Sequence, residues 1–206
     1  MSTKRRSQAD RRESTRRRLL DAAARVLAQK GYRDATVLDI VVEAGVSTGA
    51  LYNHFSGKRD VFLAVFDERF AQWSASYDAA VEVSGDADDA LSSAAHHYDA
   101  LLRERPVDAQ LLIEFWSAAM RDESLRPAFV ERHGQIREAM ATLIDRMQTQ
   151  LGITFHMPAA SLGAIVTALA DGLAIQRLID PAAQPSGTDD LLLTALRLLL
   201  AGTATE

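Results

Sequence analysis

Residues 40–62 read IVVEAGVSTGALYNHFSGKRDVF, and the turn at Gly45-Val46-Ser47 decides how the surrounding chain folds. Before it, Thr36 has the chemistry of a helix N-cap, and Asp39 at the third helical position completes a loose capping box. Ile40, Val41 and Ala44 then share an inward face until Gly45 turns the chain. Ser47 is the next N-cap, opening a short helix that carries Ala50, Leu51 and Phe55. Ser56-Gly57 breaks this helix, and a longer one starts at Lys58. Upstream, Leu19, Leu20, Ala23, Val26 and Leu27 are spaced for one apolar face of a helix beginning at Ser14. Gly31 suits its end, because glycine tolerates the left-handed conformation found there. Three short helices, the last two joined by a tight turn, have helix-turn-helix spacing. The later helix of such a pair fits a DNA major groove about 12 Å wide.

The charge pattern agrees. Residues 1–60 hold thirteen Lys/Arg against seven Asp/Glu, a net +6, whereas residues 61–206 hold ten against twenty-one, a net −11. A basic head on an acidic body points to a polyanion met by the head alone. Residues 1–13 are polar and read as a flexible basic arm, able to reach phosphate or a minor groove. The chain has no cysteine, which excludes disulfide and thiolate chemistry. The longest apolar stretch is interrupted by Asp171, Gln176 and Arg177, and no signal core follows the basic N-terminus. A cytoplasmic protein without a membrane span is therefore expected.

The stretch 40–62 resembles the signature of TetR-type regulators, the tetracycline-repressor-like family. The likeness rests on Ala44-Gly45-Val46-Ser47, Gly49, Leu51-Tyr52, His54-Phe55 and Lys58, with Gly31-Tyr32 before them, and spans about residues 14–66. It implies that Thr36, Ser47, Tyr52, His54 and Lys58 contact DNA phosphates. It also implies that Thr48 and Gly49 meet base edges, Gly49 by letting the helix approach closely. Asn53 stands where an aromatic residue is common and offers an amide instead. Leu51 and Phe55 read as packing residues.

Beyond Lys58 the pattern stays helical. A helix to about Val83 carries Phe62, Phe66, Phe70, Trp73 and Tyr77 on one side, and the acidic Ser84–Asp89 reads as a linker. Further helices are expected near 89–104, 107–121, 125–150, 158–179 and 188–201, with Pro106 and Pro158 at first-turn positions and Pro181 and Pro185 in the last connection. No stretch alternates with period two, so the expectation is an all-α protein of about nine helices. The head spans 14–57, and an effector-binding and dimerisation body spans 58–206.

The two last helices, within 158–201, are apolar on more than one side. Leu162, Ile165, Val166, Leu169, Leu173 and Leu178 line one, with Gly163, Ala170 and Gly172 allowing close approach, and Leu191–Leu193, Leu196 and Leu198–Leu200 line the other. This excess suits a homodimer with a two-fold axis, matched to a palindromic double-stranded operator. Candidate walls of an effector cavity are Phe66, Tyr98, Leu102, Phe115, Trp116, Met120, Met140, Ile144 and Met147, with His97, Gln110, His133 and Asp171 to orient a neutral or weakly polar small molecule. No cofactor is implied. His96-His97 point about 100° apart on a helix, no cluster has metal-ligand spacing, and no glycine-rich phosphate loop follows a strand, so no catalytic role is expected. Together with the resemblance, these features imply a repressor released from DNA by its effector. A ligand-independent DNA binder and an activator share the same head.

Overall fold

The computed structural model describes residues 8–82, 86–152, 155, 157–180 and 188–201. The expectations for residues 1–7, for residues 84–85 and for the connection with Pro181 and Pro185 lie outside the described residues, as do the side chains of Tyr77 and Leu200. The described elements are all helices: α1 Gln8–Asp34, α2 Val37–Ala44, α3 Thr48–Tyr52, α4 Lys58–Glu82, α5 Ala87–Glu104, α6 Pro106–Arg121, α7 Arg126–Leu151, α8 Ala159–Ile179 and α9 Thr188–Ala201. The helix boundaries correct the sequence reading in several places; within the head, α1 runs past Gly31 to Asp34, and α3 ends at Tyr52, short of Phe55. Helix α1 starts at Gln8, so residues 8–13 of the expected flexible arm are helical, with Asp10 in the first turn. The expected linker ends sooner: Asp86 accepts from the Asp89 amide as the N-cap of α5, and Asp88 and Asp89 lie in its first turn.

The head forms as its local chemistry dictates. Thr36 and Asp39 make a reciprocal capping box, and Ser47 Oγ accepts from the Ala50 amide at the start of α3. Gly45 caps α2 in the left-handed region, φ 62° and ψ 42°. Arg18 closes this turn from α1, its Nη2 donating to the carbonyls of Ala44 at 2.6 Å and Gly45 at 3.0 Å. Gly31 kinks α1 with φ 77° and ψ 162°.

Head and body share one core. Leu19, Leu20, Ile40, Leu51 and Phe55 of the head belong to the same buried cluster as Val61, Phe62, Phe66, Leu111, Phe115 and Phe129 of the body. A second cluster sets Leu192, Leu193 and Leu196 of α9 against Ala95 and Tyr98 of α5 and Leu173 of α8. Much of the apolar surface assigned to a dimer interface is therefore internal. Leu162 and Leu173 are buried, while Ile165, Ile179, Leu191 and Leu198 remain exposed. By length and composition α8 could cross a membrane. Yet it carries Asp171, which faces His133 of α7, and Arg177, which pairs with the buried Asp99 of α5.

Gly163 also has a different role from the one expected. A Cβ built there would stand 2.9 Å from Ala141 N and 3.0 Å from Arg137 O, so the missing side chain serves the close approach of α8 to α7 within the chain. Both obstacles are backbone and cannot rotate away. Gly163→Ala is expected to destabilise the protein by about 1–3 kcal/mol through overpacking. Thermal unfolding followed by circular dichroism checks this; an unchanged midpoint would refute the close-packing account.

Candidate nucleic-acid interface and effector cavity

The short α3 presents two unlike sides. Leu51 is fully buried and Phe55, just beyond it, nearly so, while Thr48, Gly49, Tyr52 and Asn53 are exposed, Tyr52 to 56%. A Cβ on Gly49 would meet only Ser47 Oγ, at 3.9 Å. Nothing inside the protein calls for glycine at this position. Ser47 accepts an amide with its oxygen, which leaves its hydroxyl proton to donate.

Two residues expected at phosphates are engaged elsewhere. Thr36 Oγ1 donates to Asp39 Oδ2 at 2.8 Å while accepting from the Asp39 amide. Asp39 also takes Lys30 Nζ at 2.7 Å; the hydrogen bonds from Lys30 and Thr36 lower its pKa to about 2. Lys58 Nζ donates to the carbonyls of Tyr32 at 2.8 Å and Arg33 at 3.1 Å, and lies 4.7 Å from the centre of the Tyr32 ring. Lys58 thus fastens the start of α4 to the end of α1, where the last carbonyls of a helix attract cations. Phosphate contact by Thr36 would require giving up its donated bond, and Lys58 has one ammonium proton beyond these two bonds.

His54 is half-buried behind α3, beside Arg12 and Arg16 of α1. Burial and those two guanidinium groups lower its pKa below the ordinary histidine value. Arg16 also lies over the Phe55 ring, 5.8 Å from its centre.

In the body, α4, α5, α6, α7 and α8 surround a cavity of about 90 Å³. Of the residues expected at an effector, Tyr98, Leu102, Met140 and Asp171 line it. The others are elsewhere. Phe66 and Phe115 are packed edge-to-face in the shared core, ring centres 4.6 Å apart. Met147 is buried against Ala90 and Leu143 beside Met140, and Ile144 is buried but absent from the cavity wall. Trp116, Met120 and His133 line a separate open groove of about 370 Å³ between α6 and α7. Gln110 is exposed; His97, half-buried on α5, is absent from the wall, and burial lowers its pKa. The reason is rotational: on a long amphipathic helix, one turn decides whether an apolar side chain faces the core, a cavity or a groove.

Four important wall residues escaped the sequence reading as cavity residues: Phe70 and Trp73 of α4, Arg105 at the α5–α6 junction and Asp108 of α6. Asp108 is buried, with Arg105 Nε 2.8 Å from Oδ2 and Arg69 Nε 3.5 Å from Oδ1. Burial raises its pKa, opposed by the two arginines and by a hydrogen bond from the Trp73 indole. Arg69 also reaches Asp21 of α1 at 3.2 Å, which joins the cavity wall to the head. Among the described residues no group of three His, Asp or Glu could hold a metal ion.

Known proteins match both halves of this architecture. The family model for bacterial regulatory proteins of the TetR family matches residues 19–65, and that for the C-terminal part of BetI-type transcriptional repressors matches residues 87–201. The chain belongs to the TetR family. Over 72 residues it is 43% identical to the HTH-type transcriptional regulator CymR of Pseudomonas putida, covering 35% of this chain and 36% of that protein. The chain thus matches little more than a third of that relative's length. The crystal structure of a transcriptional regulator from Rhodococcus sp. RHA1 aligns with a TM-score of 0.74 at 26% identity, covering 93% of this chain and 98% of that one. FadR from Bacillus subtilis, crystallised in complex with stearoyl-CoA, shares the fold, with a TM-score of 0.74 at 20% identity over 90% of this chain and 98% of that one.

Two fastenings in this TetR-family chain have no sequence signature. Arg18 locks the turn before α3, and Glu114 of α6 accepts from the Tyr32 amide at 2.6 Å, beside the Gly31 kink. Each joins residues far apart in the chain. The His54 environment yields a test. Because its pKa is depressed, His54 gains its proton at lower pH than an ordinary histidine, and a nearby phosphate favours the charged form. DNA affinity should therefore rise as pH falls from 8 to 6, and His54→Gln should flatten that rise. Fluorescence anisotropy at fixed ionic strength measures both; identical slopes for the two proteins would remove His54 from the interface.

Proposed function

We propose that this TetR-family chain is a ligand-responsive transcriptional regulator, a repressor that binds a palindromic operator as a homodimer and is released by a small-molecule effector in the α4–α8 cavity. The observation that carries the reading is the exposed strip Thr48, Gly49, Tyr52 and Asn53, backed by Leu51 and Phe55 in a core continuous with the cavity-bearing body. Gly49 and Thr48 face base edges, and Ser47, Tyr52 and His54 face phosphates. Thr36 and Lys58 act mainly by holding α2 and α4 in place for those contacts, and the basic residues 1–18 add electrostatic attraction. The protein works in the cytoplasm.

Dimerisation uses the outward faces of α8 and α9, where Ile165, Ile179, Leu191 and Leu198 are exposed. The dimer sets the spacing of the two heads. Effector binding favours a spacing that no longer fits adjacent grooves, so effector and DNA oppose each other by linkage.

Gel shifts with the DNA upstream of the chain's own gene, repeated across a metabolite panel, test the whole reading. A retarded band abolished by one metabolite supports it; no specific band overturns it. Gly49→Ala separates interface from stability. Alanine in place of an exposed helical glycine should leave the thermal midpoint unchanged or raise it, by up to about 1 kcal/mol of stability, while operator affinity falls. Unaltered affinity would place Gly49 away from DNA. Ile179→Asp with Leu198→Asp should convert the dimer to monomer in analytical ultracentrifugation and weaken operator binding; a persistent dimer would move the interface off α8 and α9.

A further inference from the structure

The first turns of α1 carry charge that the chain does not neutralise. Arg12 and Arg16 stand four residues apart and share one face of the helix. Arg12 is exposed and Arg16 half-buried, its guanidinium over the Phe55 ring. Among the described residues neither side chain has an ion-pair or hydrogen-bond partner. Both guanidinium charges reach His54, just past the end of α3. Two carboxylates share this neighbourhood, Glu13 acting on His54 and Glu68 of α4 within the field of Arg16, but neither pairs with these arginines.

Like charges one turn apart destabilise a helix, and their fields oppose protonation of the imidazole beside them. No described residue offsets this cost, so an anion from outside the chain is the complementary group. The position of the cluster says which anion. Arg18 of the same helix bonds the turn before α3, while Arg16 and Arg12 flank the residues after it, so α1 runs alongside the whole of α3. The exposed Thr48, Gly49, Tyr52 and Asn53 belong to that short helix and its C-cap. A polyanion lying against α3 therefore also comes beside Arg12 and Arg16. Guanidinium groups suit phosphate, whose oxygens they can bind with two parallel N–H bonds.

We propose that Arg12 and Arg16 of α1, together with His54, form a phosphate-binding site that grips the DNA backbone beside α3. This inference rests on the head being the DNA-binding unit, and it goes beyond diffuse attraction by a basic N-terminus. Two named guanidinium groups, held on a structured helix, make direct charge-assisted hydrogen bonds to the strand. The first turns of α1, which the sequence suggests to be a flexible arm, are then a second ordered element of the interface. The repulsion between Arg12 and Arg16 in the free protein is relieved when phosphate lies between them.

Fluorescence anisotropy of the full chain, with a labelled duplex from upstream of its own gene and with a random-sequence duplex, tests the site between about 50 and 200 mM salt. Arg12→Gln and Arg16→Gln should each weaken binding to both duplexes at least about tenfold, the worth of one hydrogen bond to a charged group. Each should also flatten the plot of log affinity against log salt by about one. Arg11→Gln removes the same charge from the same helix, one residue round from the shared face. It should cost at most about threefold, as expected for a screened charge at a distance. Arg12→Gln should melt no lower than the wild type at low salt, whereas loss of a merely structural arginine would lower the midpoint. Arg16→Lys keeps a cation over Phe55 and should retain most of the salt slope, which guards against a packing defect in Arg16→Gln. Equal losses for all three glutamine variants would leave only diffuse attraction and overturn the proposal, as would an unchanged slope in Arg12→Gln. Loss of poly-glutamate binding with duplex binding intact would assign the cluster to an acidic protein and equally overturn it. If upstream DNA gives no specific band, the operator reading fails by itself, while the slopes on the random duplex still decide the phosphate site.

Discussion

Everything in this protein depends on one aromatic contact chain that fuses the DNA head to the body. Tyr32 of α1 packs on Phe62 of α4 with ring centres 4.4 Å apart, and Phe62 packs on Phe115 of α6 at 4.6 Å. Phe115 meets Phe66, and Phe66 meets Phe129 of α7. Trp116 and His133 continue the series, and His133 faces Asp171 on the cavity wall. A close-packed interior of this kind has low compressibility and transmits strain instead of absorbing it. A shift of α6 or α4 around the cavity therefore has to be met by α1, the helix on which the head is built.

Polar contacts make this joint directional. Glu114 holds the Tyr32 amide from the body side, Lys58 holds the Tyr32 and Arg33 carbonyls from the start of α4, and Arg69 joins Asp21 of α1 to Asp108 of α6. All three converge on α1, Arg69 before the Gly31 kink and Glu114 and Lys58 just after it. No gap in packing marks residue 57 among the described residues, since the buried cluster runs through it without interruption.

The head was legible because its determinants are local. Capping by Thr36 and Ser47, the left-handed turn at Gly45 and burial of Leu51 and Phe55 involve residues a few positions apart, and short-range chemistry is written in sequence order. The body helices were legible for the same reason, through apolar periodicity and proline positions. The acidic segment before α5 misled because Asp86 is both a linker-like residue and a good N-cap.

Sequence alone therefore determined the helices, the helix-turn-helix and the exposed polar strip of α3. Tertiary structure alone decided which apolar faces are core and which are outward. Leu192, Leu193 and Leu196 went to the core and Ile179 and Leu198 to the surface, although periodicity treats them alike. It also decided that Gly163 serves α7 and that Trp73, Arg105 and Asp108 share one end of a cavity. The physical reason is that a helix's own pattern fixes its buried stripe only to within a turn. The facing partner comes from distant parts of the chain, so what fills each groove is settled only when the helices pack.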